Sequence, residues 1–298
     1  MKIHFVGIGG TAMGALAIAC ANLGHTVSGS DTAVYAPMSD VLLAAGIRWY
    51  DGYDADKLTT NKPDRVVVGN AISRGNVELE TVLNTRLPMT SMAALVGELL
   101  IDRNASVVIS GTHGKTTTSS MVAWLLEQAG RQPGFFIGGV PAMFSSGCRP
   151  VPQELHNTAA GVFVTEGDEY DTAFFDKRSK FVHYRPTVAV VNNIEFDHAD
   201  IFPNLDAIIR SFEHLIRIVP ANGMVLVNAD DEAALLAAKG SYAPVQTVGI
   251  SPSAFWRIQD VAYDFEGTSW TVTQAGVRKG SFRLLMPGEH NMRNASCA

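Results

Sequence analysis

Residues 111–118 read Gly-Thr-His-Gly-Lys-Thr-Thr-Thr, directly after the apolar run 107–109 and directly before a helix-compatible stretch, 119–128. A strand that ends in a glycine-rich turn and opens a helix aims backbone N–H groups and the positive helix end at one spot, which stabilises a bound anion. The pattern reads as a nucleotide phosphate loop. Gly111, Thr112, His113, Gly114 and Thr117 would line it, with Lys115 reaching the β- and γ-phosphates of ATP and the Thr116 hydroxyl reaching Mg²⁺. The usual spacing places its first glycine at position 109, where this chain has Ile109, so a subclass of such loops is expected. A glycine turn with an incidental lysine is the plainer alternative, and the strand and helix on either side weigh against it.

Gly7-Ile8-Gly9-Gly10-Thr11-Ala12 is a second such turn, and Asp31 follows it at the end of the next strand candidate. By itself this fingerprint suggests NAD, with Asp31 on a ribose 2′-hydroxyl and the pyrophosphate on the helix N-terminus. Any nucleotide diphosphate presents the same pyrophosphate, so the turn marks a diphosphate site without naming its owner. Beyond the ATP loop, the run 162–165 delivers Glu166 and the run 188–191 delivers residues 192–198, ending in His198. Ligands of an open parallel sheet gather at the carboxyl ends of its strands. Thr116, Glu166 and His198 are therefore candidate magnesium-site residues, since a hard cation among phosphate oxygens takes one or two carboxylates plus water. Asp168, Glu169 and Asp171 fit a solvated acidic turn better.

The elements that position these residues alternate short β-branched runs with amphipathic helical stretches, the pattern of parallel strands joined by crossover helices. The class is α/β. Strands are predicted at 3–7, 26–30 and 65–68, with helices at 12–23 and 38–45. Residues 84–91 look like the passage to a second unit, whose strands fall at 107–110, 162–165, 188–191 and 224–228. Residues 254–286 alternate as an antiparallel hairpin does. The expected domains are 1–90 and 91–298, which suits a chain of 298 residues with 47% hydrophobic content. A net charge of −6 provides no electrostatic footprint for nucleic acid or an anionic membrane. Cys20, Cys148 and Cys297 are few and far apart, as in a reducing compartment. With no apolar run of membrane-spanning length and no signal segment, a soluble cytoplasmic protein is expected. No feature of the sequence sets an oligomeric state.

The loop 111–117, the run Glu166-Gly-Asp-Glu-Tyr-Asp171, the run Asn193-Ile-Glu-Phe-Asp-His198 and the turn Gly288-Glu-His-Asn-Met-Arg-Asn-Ala295 together resemble the ATP-dependent Mur ligases over the whole chain. The resemblance implies a Rossmann-like UDP-binding domain followed by a P-loop-type central ATPase domain with a parallel sheet and a small antiparallel β subregion. It implies that Lys115 and Thr116 bind the ATP phosphates and Mg²⁺, that Glu166 is a magnesium ligand, and that His198 belongs to the second metal or γ-phosphate region. His290 and Asn291 would contact adenine. Gly9, Gly10, Thr11 and Asp31 would lie in the UDP-sugar site, with Asn70 and Ala71 in the turn beside it. Several members carry a carbamylated lysine about fifteen residues after the histidine; here that neighbourhood is Phe212-Glu213-His214.

Within the family, the run 171–184 resembles the ligase of peptidoglycan recycling, which joins L-alanyl-γ-D-glutamyl-meso-diaminopimelate, the murein tripeptide, to UDP-N-acetylmuramate. The alternative is the member that adds L-alanine, and, of other classes, a non-catalytic UDP-sugar-binding module or a nicotinamide-dependent oxidoreductase. Lys177, Arg178 and Lys180 would meet tripeptide carboxylates or form a solvated basic loop. The phenylalanine pairs 135–136 and 174–175, and Trp124, are expected to be core or interface packing. Family members have a third, C-terminal domain that closes over ATP. The chain reaches Ala298 about where the second domain should end, so it is expected to bind ligands with little or no ligase activity alone.

Overall fold

The computed structural model describes residues 1–197 and 202–298. Among them, two sheets organise the chain. The first is parallel, in the order Arg48–Asp51, Thr26–Asp31, Lys2–Val6, Arg65–Val68, Met89–Ser91. Its direction of winding reverses between Lys2–Val6 and Arg65–Val68, and a crevice opens there at the strands' carboxyl ends. The glycine turn that begins at Gly7 leads from that crevice into the helix Thr11–Asn22. Gly7 has φ 88°, a left-handed conformation that glycine adopts without steric cost.

The sequence pattern at 84–91 misleads at one point. Met89–Ser91 is the fifth strand of the first sheet, paired with Arg65–Val68. Pro88 stands just before it and supplies a carbonyl to Val66 N–H at 2.9 Å, which proline can do although it donates nothing. The strand Arg48–Asp51 and the helices Ala55–Asn61 and Val77–Thr85 lie in stretches that the periodicity left unassigned. Both helices are short and begin at side-chain caps, Asp54 and Asn76, so local hydrogen bonds rather than a long apolar stripe define them.

The second sheet runs Val277–Leu284, Gly267–Gln274, Trp256–Asp264, Val245–Gly249, Met224–Asn228, Val188–Val191, Ala105–Ser110, Val162–Gly167, Gly134–Phe136, Cys148–Arg149. Its centre is parallel and built from runs such as Val188-Ala-Val-Val191, apolar on both faces because helices cover both. The expected hairpin at 254–286 is a three-stranded antiparallel meander, and it extends the parallel sheet directly through the pairing of Val248 with Trp256. The helix Leu205–Arg217 buries Ile208, Phe212, Leu215 and Ile216 along one stripe.

One apolar cluster runs from Phe5 and Leu16 of the first sheet through Leu95 to Phe163, Phe181 and Phe212 of the second. The helix Thr11–Asn22 touches the edge strand Cys148–Arg149, which ties the two sheets together. Phe135 is core, whereas Phe174 packs against the first sheet's cluster of Val6, Val68 and Ile72. Trp124 remains 37% exposed, at the edge of an apolar groove of about 640 Å³. The helix Lys115–Gln128 covers the sheet with its opposite face, which is why Trp124 is not core.

Candidate active site

The strand Ala105–Ser110 lies between Val162–Gly167 and Val188–Val191. Their carboxyl ends converge where the chain turns through Gly111 to Gly114 into the helix Lys115–Gln128. Gly114 has φ 83°, and a Cβ there would stand 2.5 Å from Asn294 Oδ1 and 3.0 Å from Asn192 Nδ2. Only glycine fits that turn. Asn193 staples the loop from the neighbouring strand end: its carbonyl accepts from Thr112 N–H at 3.0 Å and its Oδ1 from His113 N–H at 2.8 Å. Thr112 Oγ1 accepts from Glu195 N–H at 2.9 Å. The His113 ring is exposed, 3.8 Å from the Glu195 carboxylate.

The Lys115 ammonium curls back over this turn. It donates to the carbonyls of Gly111 at 2.6 Å and Thr112 at 3.2 Å, and lies 3.1 Å from Glu169 Oε2. Glu169 is not the solvated acid that its acidic neighbours suggest, since it is 3% exposed. Burial costs both groups their hydration, and it is tolerated because the two charges meet. Asp168 pairs with Lys180 at 2.7 Å and Asp171 with Lys177 at 2.8 Å. Arg178 pairs with Asp176 at 2.7 Å, so each of these basic side chains has an acidic partner within residues 168–180.

Glu166 sits beside Ile109 in register and accepts from Gly138 N–H at 2.8 Å. Burial raises its carboxyl above the usual range, against the opposing effects of that N–H, the Thr116 hydroxyl and Lys115. A half-buried carboxylate beside a hydroxyl at the loop end is an oxygen donor set that suits a hard cation. Ionisation of Glu166 costs stability as pH rises through its raised folded value, because that value exceeds the unfolded one. Glu166→Gln should therefore raise Tm at pH 7 but not at pH 4, while removing the Mg²⁺ dependence of nucleotide binding. Magnesium affinity of the unaltered chain should fall with acidification earlier than an ordinary carboxylate predicts. Calorimetric titrations across pH, with thermal melts alongside, check both expectations. His198 lies outside the described residues.

A cleft of about 270 Å³ opens beside the loop, between Asn192, Asn228, Asp230, Asp231, His290 and Arg293. His290 lines it. Asn291 does not: its amide donates to the Pro287 carbonyl at 2.9 Å. Thr117 lines the apolar groove with Trp124 instead, one residue's rotation away from the exposed Thr116. Arg293 is bonded to Glu289 at 2.7 Å and to Asp230. Burial lowers its affinity for a proton, but the two carboxylates prevail and raise it.

Sequence reasoning missed Glu169, Asp230, Asp231 and Arg293. The same rule that singles out Glu166, an acid just past a strand's carboxyl end, would have found Asp230 and Asp231 after Met224–Asn228. No sequence signal separates Glu169 from its half-buried acidic neighbours Asp168 and Asp171.

In the first domain, Gly9, Gly10 and Thr11 form the turn at the start of the helix Thr11–Asn22, with Gly10 as its N-cap. Asp31 accepts the Gly9 N–H at 2.8 Å, which places a carboxylate within the turn itself. Gly7 and Ile8 donate to the Ser30 carbonyl at 2.8 and 3.1 Å. Across the crevice Asn70 and Ala71 are exposed beside Gly69, whose N–H bonds Val6 at 3.0 Å. The two glycine turns are thus built alike, each at a sheet's carboxyl edge.

Residues 109–298 match the family described as Mur ligase middle domain, and residues 2–104 the one described as Mur ligase family, catalytic domain. The chain is 43% identical over 299 residues to the UDP-N-acetylmuramate--L-alanyl-gamma-D-glutamyl-meso-2,6-diaminoheptandioate ligase of Escherichia coli (strain K12); the match covers all of this chain and 63% of that protein. It is 34% identical to the UDP-N-acetylmuramate--L-alanine ligase of Acetivibrio thermocellus, over 98% of this chain and 59% of that one. Among solved structures, the UDP-N-acetylmuramate:L-alanyl-gamma-D-glutamyl-meso-diaminopimelate ligase of Neisseria meningitides superposes with a TM-score of 0.91 at 43% identity, covering 99% of this chain and 91% of that one. The chain spans less than two thirds of the length of both curated relatives.

Proposed function

The chain belongs to the Mur ligase family, and on that premise we propose that it carries the nucleotide sites of an ATP-dependent amide ligase that joins L-alanyl-γ-D-glutamyl-meso-diaminopimelate to UDP-N-acetylmuramate. Residues 1–90 bind the UDP-sugar and residues 91–298 bind ATP, in the cytoplasm. The observation that carries this reading is the pair of glycine turns at two sheet edges, one of them holding Lys115 with Glu166 beside it. A single-nucleotide oxidoreductase has no use for the second. The tripeptide as acceptor is favoured over L-alanine by the higher identity to the tripeptide ligase, 43% against 34%.

The chemistry follows from the charges. An oxygen of the lactyl carboxylate attacks the γ-phosphorus, the bond to the bridging oxygen breaks, and ADP leaves. The amine of the tripeptide then attacks the acyl carbon, loses a proton, and expels inorganic phosphate. Neither step needs a protein nucleophile, so the chain's task is to position its ligands and neutralise charge. Lys115 and the loop N–H groups meet the β- and γ-phosphates. Thr116 and Glu166 would hold Mg²⁺, whose charge would screen the phosphate oxygens. Gly9, Gly10 and Thr11 receive the UDP pyrophosphate, Asp31 moving off the Gly9 N–H as it arrives.

Calorimetric titration with UDP-N-acetylmuramate, and with NAD as competitor, tests the assignment. Binding of the UDP-sugar, undisturbed by NAD, is expected. Binding of NAD alone would sink the ligase reading of the first domain.

A further inference from the structure

The mechanism above uses Lys115 as a free cation, yet the ammonium is fully engaged. Its contacts are the carbonyls of Gly111 at 2.6 Å and Thr112 at 3.2 Å, and both oxygens of Glu169, at 3.1 and 3.4 Å. An ammonium has three protons to donate. Two carbonyls and a carboxylate take them all, so a phosphate oxygen gains a hydrogen bond from Lys115 only by displacing one of these partners.

The partners are unequal. The carbonyls belong to the loop that any phosphate would sit on, and their geometry is imposed by the turn. Glu169 comes from a different segment, after the strand Val162–Gly167, and its side chain is 2% exposed against 17% for Lys115. Water therefore cannot readily take the place of Lys115 at that carboxylate. We propose that Glu169 is a positioning residue of the phosphate loop: its buried carboxylate keeps the Lys115 ammonium folded onto the loop's own carbonyls and competes for it with the terminal phosphates of the nucleotide. The inference rests on the assignment of this loop to ATP.

The consequence is selection by phosphate charge. A nucleotide with β- and γ-phosphates carries enough negative charge to share the ammonium with Glu169, whereas a monophosphate does not reach it. Glu169 also supplies a negative charge inside the site, so its removal should favour polyphosphates and leave the monophosphate indifferent.

The test is titration of ATP, ADP and AMP, with Mg²⁺ present, into the unaltered chain, Glu169→Gln and Glu169→Asp. Glutamine is expected to tighten ATP and ADP by about tenfold, with AMP unchanged and aspartate returning affinity towards that of the unaltered chain. Weaker ATP binding by the glutamine variant, or an equal change for AMP, would overturn the proposal, because a loop that is merely disordered loses its phosphate contacts and weakens ATP and ADP instead of tightening them. A second measurement needs no Glu169 variant. The Lys115 side-chain ¹⁵Nζ signal, assigned by its loss in Lys115→Met, should be visible without nucleotide and shift with ATP but not with AMP. An ammonium that ATP leaves unshifted would also overturn it. Failure of the unaltered chain to bind ATP at all would instead strike the loop assignment itself.

Discussion

Lys115→Ala should weaken ATP binding by about a hundredfold or more, the scale of losing charge-assisted hydrogen bonds from an ammonium to phosphate. Binding of UDP-N-acetylmuramate should stay within twofold or so, since additive behaviour is expected of sites that share no partners. The two ligands separate because their glycine turns lie on different sheets. The same substitution has a second effect. It removes the Lys115 ammonium from among the partners of Glu169, whose side chain is 2% exposed, and losing one partner of a buried charge costs stability. Thermal denaturation should register that loss. Adding Glu169→Gln to Lys115→Ala should restore most of the stability and none of the ATP affinity. Calorimetry and melting curves on the single and double variants check all three statements, and equal loss of both ligands from the single variant would undo the two-site assignment.

Glu78→Ala should be among the most destabilising single changes in the first domain. Glu78 is fully buried, and its carboxylate accepts from the Ser30 and Tyr50 hydroxyls and from Asp54 N–H at 3.1 Å, with His4 Nε2 at 3.7 Å. Alanine leaves those donors facing a void. Each unsatisfied buried group costs about 1–3 kcal/mol, so a loss of about 3–5 kcal/mol is expected in urea denaturation.

Burial by itself would raise the Glu78 carboxyl, but the nearby His4 ring and hydrogen bonds from Ser30, Tyr50 and Asp54 N–H outweigh it and hold the group below the usual range. A depressed folded value means that the contribution is present above the unfolded value of about 4.3 and is lost as pH falls through the folded one. Acid should therefore narrow the gap between the two proteins. The loss should also reach the ligand. Ser30, bonded to Glu78 through its hydroxyl, offers its carbonyl to the N–H groups of Gly7 and Ile8, so UDP-N-acetylmuramate should bind more weakly to the variant. Glu78→Ala affinity equal to that of the parent, measured on folded protein, would show that the turn stands without the cluster.

The parts of this molecule that were legible beforehand share one property. The loop 111–118, the turn at Gly7, the parallel strands and the ligase resemblance all depend on short-range order: residue types at fixed spacing along one segment. A strand of β-branched residues ending in glycine looks the same in any tertiary setting. Edges and short caps obscure the pattern instead. Met89–Ser91 was hidden behind Pro88, and Ala55–Asn61 is too short to show a period.

By itself, the sequence determined which residues could meet phosphate and at which strand ends they stand, because a backbone turn and its helix are built from neighbours. It could not decide which acids are solvated. Asp168, Glu169 and Asp171 are alike as a string, yet only Glu169 is fully buried and reaches Lys115, which lies 54 residues earlier. Nor could it place Asp31 on the Gly9 N–H, Asn193 on the loop, or Asn291 away from the cleft that His290 lines. Those outcomes depend on sheet register and helix rotation, which a few ångströms or about a hundred degrees per residue can invert. Only the packing of the whole chain settles them, because charge is kept or lost according to which partner burial brings within reach.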